Sequence, residues 1–128
     1  MNRQIIIVLL VIFTLFLASC SSTKYTKESL DKLANCLADK NVKEYGAFWC
    51  PNCAKQQKMF GSSYDIIKKR RVYVECDPRG EDPQSQLCLT KNVQKYPDWE
   101  FPDSSRLIGV QNLEYLAVKS NCDKPISK

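Results

Sequence analysis

The chain has 128 residues, room for one domain, and its 44% hydrophobic and 26% charged content is that of a globular protein, not a disordered one. A net charge of +5, with no sustained basic stripe carrying interleaved aromatics, gives no nucleic-acid signature. There is no histidine, which excludes Cys-His zinc patterns and Cys-His or Ser-His catalytic pairs; seven cysteines are a density that exported proteins use for disulfides.

The N-terminus begins with a weakly positive head containing Arg3, followed by an apolar run from Ile5 to Leu17 and then Ala18-Ser19-Cys20. That run has the length of a signal-peptide core and falls short of the ~20 residues that span a bilayer. Leu17-Ala18-Ser19-Cys20 resembles the lipobox of bacterial lipoproteins. The resemblance implies a signal peptide over residues 1–19, lipid attachment at Cys20, a polar tether over 20–28 and a place in the bacterial cell envelope, anchored to the membrane and facing its extracytoplasmic side. The other reading is an ordinary signal peptide or an uncleaved anchor, with Cys20 incidental. If Cys20 becomes a thioether, six thiols remain, an even number suited to disulfides.

Leu30, Leu33, Ala34 and Leu37 share one face of a helix running to about Asp39, with Ser29 a candidate cap and Asn41 at the exit. Val42 to Phe48 reads as a strand. It leads into Trp49-Cys50-Pro51-Asn52-Cys53, and from there a helix is expected to about Lys69, kinked or divided at Gly61-Ser62-Ser63, where glycine costs about 1 kcal/mol against alanine. The run Lys68-Lys69-Arg70-Arg71 reads as a solvated, cationic helix end, with contact to anionic lipid as the other reading. Val72 to Cys76 is a second strand, Asp77 to Pro83 a loop, and Pro83 opens a short helix through Gln84–Thr90. Asp98–Phe101 and Arg106–Val110 form a hairpin about Pro102–Ser105, and Asn112 caps a last helix that ends before Cys122. The order α-β-α-β-α-β-β-α implies a mixed sheet with helices on its faces.

That order, with Trp49-Cys50-Pro51-Asn52-Cys53 opening a helix and Tyr96-Pro97 entering a later strand, resembles the thioredoxin fold, an α/β/α three-layer arrangement with a mixed sheet. The resemblance covers a domain at residues 29–122, with 123–128 as a tail. The motifs Tyr45 to Cys53, Met59-Phe60-Gly61, Tyr73-Val74-Glu75-Cys76, Gln84 to Cys88 and Tyr96-Pro97-Asp98-Trp99 are most similar to one branch. It is the thioredoxin-like domain fused to, or paired with, vitamin K epoxide reductase homologues. Two positions depart from that branch. Asn52 stands where histidine is usual, and Asp98 follows the proline where threonine is common; both bear on the redox poise.

Two thiols at a strand-to-helix junction can be a redox centre, half a metal site or a structural staple. Zinc needs four ligands, and the other cysteines form no second close pair, so no metal is expected. The resemblance implies a thiol–disulfide oxidoreductase without cofactor, in which Cys50 attacks and Cys53, one turn further in and more buried, resolves the mixed disulfide. A helix N-terminus aims N–H groups and a positive dipole end at Cys50, and Pro51 sits where its missing N–H costs nothing. Asn52 supplies a neutral dipole in place of a cation, so a less oxidising poise is expected. Glu44 is either a buried acid beneath Cys53 or a surface glutamate at a strand edge. Trp49, Tyr96 and a cis Pro97 are expected to line the substrate groove, whereas Phe48 and Trp99 are as well read as core. Cys76 and Cys88 flank one loop, and a staple between them fits the relatives; Cys36 and Cys122 are then left. Three pairings of these four are possible, and the sequence does not choose. Partners implied are protein thiol or disulfide clients and a membrane partner of the vitamin K epoxide reductase type. The reading from another class is a non-catalytic, disulfide-stapled binding module.

Overall fold

The computed structural model describes residues 23–128, so the expected signal peptide at 1–19 and Cys20 lie outside the described residues. Helix α1 spans Lys27–Asp39 and strand β1 Lys43–Gly46; α2 is Pro51–Phe60, followed by a 3-10 turn at Gly61–Ser63 and by α3 at Tyr64–Lys69. Strand β2 is Tyr73–Glu75, α4 Ser85–Thr90, β3 Asp98–Glu100, β4 Arg106–Ile108 and α5 Leu113–Lys119. The four strands make one mixed sheet in the order β2-β1-β3-β4, with β1 parallel to β2 and the other two pairings antiparallel. This is a mixed α/β arrangement compatible with the thioredoxin-like fold that the element order implies.

Side chains alternate across a strand, so β1 sends Glu44 and Gly46 to one face and Tyr45 to the other. The first face carries the main core. Leu30, Leu33 and Leu37 of α1, Phe60 of α2, Ile67 of α3 and Leu113, Leu116 and Ala117 of α5 close over Trp99. On the second face a smaller cluster joins Tyr45 and Val74 to Cys76 and Cys88, with Leu87 of α4 and Tyr96 packed against it. Beyond α4 that face is covered by charge pairs. Tyr45 donates to Glu100 at 2.6 Å, Lys91 reaches Glu100 at 2.8 Å, and Arg106 Nε donates to Asp98 at 3.0 Å. The last pair accounts for the aspartate after the proline: Asp98 is buried and its charge is matched by Arg106.

Several boundaries differ from expectation for local reasons. Thr26, not Ser29, caps α1, because its Oγ1 accepts from the Ser29 N–H and the helix opens three residues earlier. Residues 24–28 are not a free tether and 123–128 not a loose tail. Thr26 N–H donates to the Ile126 carbonyl, Lys128 N–H donates to the Lys24 carbonyl, and Tyr25 is buried in the core. Strand β1 ends at Gly46, and Ala47–Trp49 form a turn that leaves Phe48 59% exposed, so Phe48 is not core, whereas Trp99 is. Pro83 precedes α4 by two residues and does not open it; Gln84 stands at the cap. The break at 61–63 occurs as expected. Gly61 ends α2 with φ +55° and ψ −138°, a backbone state that only glycine adopts without strain. Asn41, Asn92 and Asn121 follow α1, α4 and α5 with φ between +52° and +57°, the left-handed stop that asparagine tolerates. Lys68 and Lys69 end α3, and Arg70 ties it to α1 through Asp39 at 2.8 Å.

Disulfides join Cys36 to Cys122, 86 residues apart, and Cys76 to Cys88, 12 apart. The first fastens α1 to the chain after α5; the second closes the loop between β2 and α4. In the loop-closure account the longer loop stabilises more. Replacing Cys36 and Cys122 together with alanine should lower the unfolding free energy by about 4–5 kcal/mol, and replacing Cys76 and Cys88 by about 3 kcal/mol, measured by urea unfolding without reductant.

Candidate functional site

Cys50 and Cys53 are the free thiols among the described cysteines. Cys50 is the N-cap of α2: its backbone is extended, and its Sγ accepts the Cys53 N–H at 3.1 Å. Pro51 follows at the first helical position, where it gives up no helical hydrogen bond. The Cys50 N–H donates to the Ala47 carbonyl at 3.0 Å, which fixes the turn joining β1 to the helix. The helix is itself anchored by Gln56. Fully buried, it donates to the Gln111 carbonyl at 3.1 Å and accepts the Gln111 N–H at 2.7 Å. Cys53 was expected to be the more buried thiol; in fact the residues are 5% and 6% exposed.

The Tyr96–Pro97 peptide bond is cis, and Tyr96 packs against the cluster of Ala47, Cys50 and Cys53. Trp49 is 55% exposed and meets Tyr96 edge-on, with centroids 6.1 Å apart. Its indole N–H donates to Asp77 Oδ2 at 2.7 Å. Asp77 in turn accepts from Arg79 through Nε, Nη2 and the backbone N–H, and these hold its carboxyl well below the usual carboxylate range. The Arg79 guanidinium lies 5.8 Å from the Phe48 ring centre. Thus the loop after β2, kept short by the Cys76–Cys88 bond, reaches over to hold Trp49. Sequence reasoning missed Asp77 and Arg79, since a loop aspartate carries no signal of which indole it will meet. Asn52 is exposed on the first turn of α2.

Beneath the pair lies Glu44. It is fully buried, not at a surface edge. The Tyr64 hydroxyl donates to its Oε2 at 2.9 Å, and Oε1 has no partner among the described residues. Burial pushes its carboxyl up to about 8, against the opposing effect of the Tyr64 hydrogen bond. Gly46 is the other residue of β1 on this face. A Cβ there would stand 2.7 Å from Tyr73 Cε2 and 3.1 Å from Cys53 Sγ, so the bare backbone lets the Tyr73 ring and the Cys53 sulfur close over the strand. Burial chiefly pushes the Cys53 thiol up, and the Cys50 sulfur and the Glu44 charge add to the effect. A thiol so placed needs a base to lose its proton, and Glu44 can take one in its ionised form, which burial confines to pH values approaching about 8 and above.

A cleft of about 470 Å³ opens on this side, lined by Cys53, Tyr64, Tyr73 and Glu75, with Lys68 and Lys69 among its rim residues. The described residues contain no group of three or more His, Cys, Asp or Glu side chains that could hold a metal ion. No helix among them is long and apolar enough to cross a membrane.

The fold and site define a mixed α/β domain with two free thiols at a helix N-terminus, against which Tyr96 of the cis Tyr96–Pro97 bond packs. No family model matches the chain. A stretch of 74 residues, 56% of the chain, is 35% identical to the thiol-disulfide oxidoreductase LTO1 of Arabidopsis thaliana and covers 19% of that protein. The chain therefore matches about a fifth of the relative's length. This similarity supports a thioredoxin-like family, and together with the disulfide-forming cysteines it supports a redox role.

Glu44 makes a pH-dependent contribution to stability. The folded state keeps its proton up to about pH 8, while the unfolded chain releases it near the ordinary glutamate value of 4.5. Stability from this group is therefore full below the lower value, declines as pH rises between the two and is gone above about 8. Relative to Glu44→Gln, the wild-type unfolding free energy should fall by up to about 5 kcal/mol across that window, measured by urea unfolding at a series of pH values.

Proposed function

We propose that this protein is a membrane-tethered thiol–disulfide oxidoreductase that exchanges disulfides with protein clients through Cys50 and Cys53. The observation that carries the reading is the Cys50 sulfur at the N-terminus of α2, accepting the Cys53 N–H, in a thiol cluster against which Tyr96 packs. The other four described cysteines are held in disulfides away from it.

In the reducing direction, the Cys50 thiolate attacks one sulfur of a client disulfide. A Cys50–client bond forms, and the client's other sulfur leaves as a thiolate. Cys53 then loses its proton to Glu44 and attacks Cys50 Sγ, which forms the Cys50–Cys53 disulfide and releases the second client thiolate. Two electrons pass from the pair to the client; the reverse sequence oxidises a client dithiol. The helix dipole and the Cys53 N–H stabilise the charge at Cys50 each time it leaves or attacks. Trp49 and the backbone at Tyr96 and Pro97 receive the client chain. A membrane protein of the vitamin K epoxide reductase type resets the pair, and lipid on Cys20 holds the domain at the extracytoplasmic surface beside it.

Cys53→Ser should trap a client as a mixed disulfide at Cys50, and Cys50→Ser should trap none, read by non-reducing electrophoresis of the acid-quenched protein. A Cys50 in the wild-type protein that resists both alkylation and reduction would instead indicate the non-catalytic binding module. Asn52→His should raise the reduction potential of the pair, because an added cation favours the reduced thiolate form. A glutathione titration showing no change or a fall would refute that account.

A further inference from the structure

Two tyrosines stand between the buried acid and the cleft. Tyr64 is 3% exposed and comes from the start of α3, the piece that the break at Gly61–Ser63 sets off from α2. Its hydroxyl binds Glu44 Oε2, while the residue itself lines the cleft, which Glu44 does not. Tyr73, from β2, has its ring centre 6.2 Å from that of Tyr64 and donates to Glu75 Oε2 at 2.9 Å. The groups that face Glu44 are thus Cys53 from α2, Tyr64 from α3 and Tyr73 from β2, with Glu75 behind Tyr73. Trp99, paired with Glu44 in register on β3, does not titrate. The apolar residues of α1 and α5 bring no charge to this face; Asp31 of α1 is occupied by Ser63 and Lys27.

We infer that Tyr64 is the positioning residue for Glu44 in the resolving step, holding the carboxylate by a hydrogen bond and carrying its proton to the cleft. The inference rests on the reading of Cys50 and Cys53 as an exchange pair. Glu44 Oε1, free of partners, takes the proton from the Cys53 thiol. The carboxyl turns to present that proton to Tyr64, and the phenol oxygen accepts it as the phenol's own hydrogen passes to solvent in the cleft, one proton in and one out. No charge is left on the phenol. Burial and the Glu44 charge both push Tyr64 strongly up, so it conducts as a neutral hydroxyl and not as a phenolate. Tyr73 has a different task. Its hydroxyl is committed to Glu75, and its ring packs beside Cys53 over Gly46.

The test follows the reduced full chain after mixing with an aromatic disulfide whose thiolate is coloured. Attack by Cys50 releases the first equivalent and resolution by Cys53 the second, so one absorbance trace separates the steps. Phenylalanine at position 64 keeps the ring and removes only the hydrogen bond to the carboxylate. Tyr64→Phe should leave the first phase unchanged and move the pH midpoint of the second upward by roughly one unit. Carbon NMR of the Glu44 carboxyl in the same variant should show the same upward shift, which reports on the folded protein independently of exchange. Glu44→Gln should slow the second phase and remove its inflection. If Glu44→Gln does so while Tyr64→Phe leaves both the second phase and the carboxyl titration as in wild type, the inference is overturned and the role of Glu44 stands. If neither variant alters the second phase, both fall. Equal slowing of both phases in Tyr64→Phe would mark a structural role only and also overturn it. A protein that releases neither equivalent would overturn the exchange reading itself.

Discussion

Strand β1 is four residues long and covered on both faces, and the alternation of its side chains governs the rest of the site. Because Glu44 and Gly46 must point to the same side, the carboxyl is carried under the main core and the bare backbone lies under Cys53. Tyr45 is committed to the opposite side, where it meets the Cys76–Cys88 cluster and Glu100. A shift of one residue in register would exchange these environments, leaving Cys53 against a tyrosine ring and the acid among the charge pairs of the outer face. The packing of a short, doubly buried strand is therefore also what sets the proton affinity of the acid.

The two faces of the sheet divide the work. On the helix-rich face, Gln56 fixes α2 against the chain before α5, and the break at Gly61–Ser63 turns α3 so that Tyr64 reaches back to Glu44. The other face carries Tyr96 and the loop after β2. There Tyr96 touches both the Cys76–Cys88 cluster and the Cys50–Cys53 cluster, and the loop closed by that disulfide holds Trp49 through Asp77. The acid and the indole are held by different partners, Tyr64 and Asp77, which are linked through Tyr73 and Glu75: Tyr73 packs on Tyr64 and donates to Glu75, and Glu75 accepts the Asp77 N–H.

Asn52 and Asp98 illustrate how context changes the meaning of a substitution. Asp98, the departure after the proline, is buried and ion-paired with Arg106 on the outer face of the sheet. Asn52 has no such compensation, since it is exposed on the first turn of α2.

The sequence alone determined the order of elements, the break at Gly61–Ser63, the cap at Asn112 and the thiol pair at a helix start. Each is written in a few neighbouring residues: a period of apolar positions, a glycine that tolerates positive φ, or a side chain that caps its own helix. It left open the depth of Glu44, the pairing of Cys36, Cys76, Cys88 and Cys122, and the roles of Tyr64, Asp77 and Arg79. Those depend on which residues meet across 12 to 86 positions of chain, and only packing brings them together. A glutamate on a four-residue strand has the same local sequence whether its face is wet or dry. It is dry here because α1, α2, α3 and α5 all close over that side of the sheet, and that closure raises the proton affinity of a carboxyl beneath Cys50-Pro51-Asn52-Cys53.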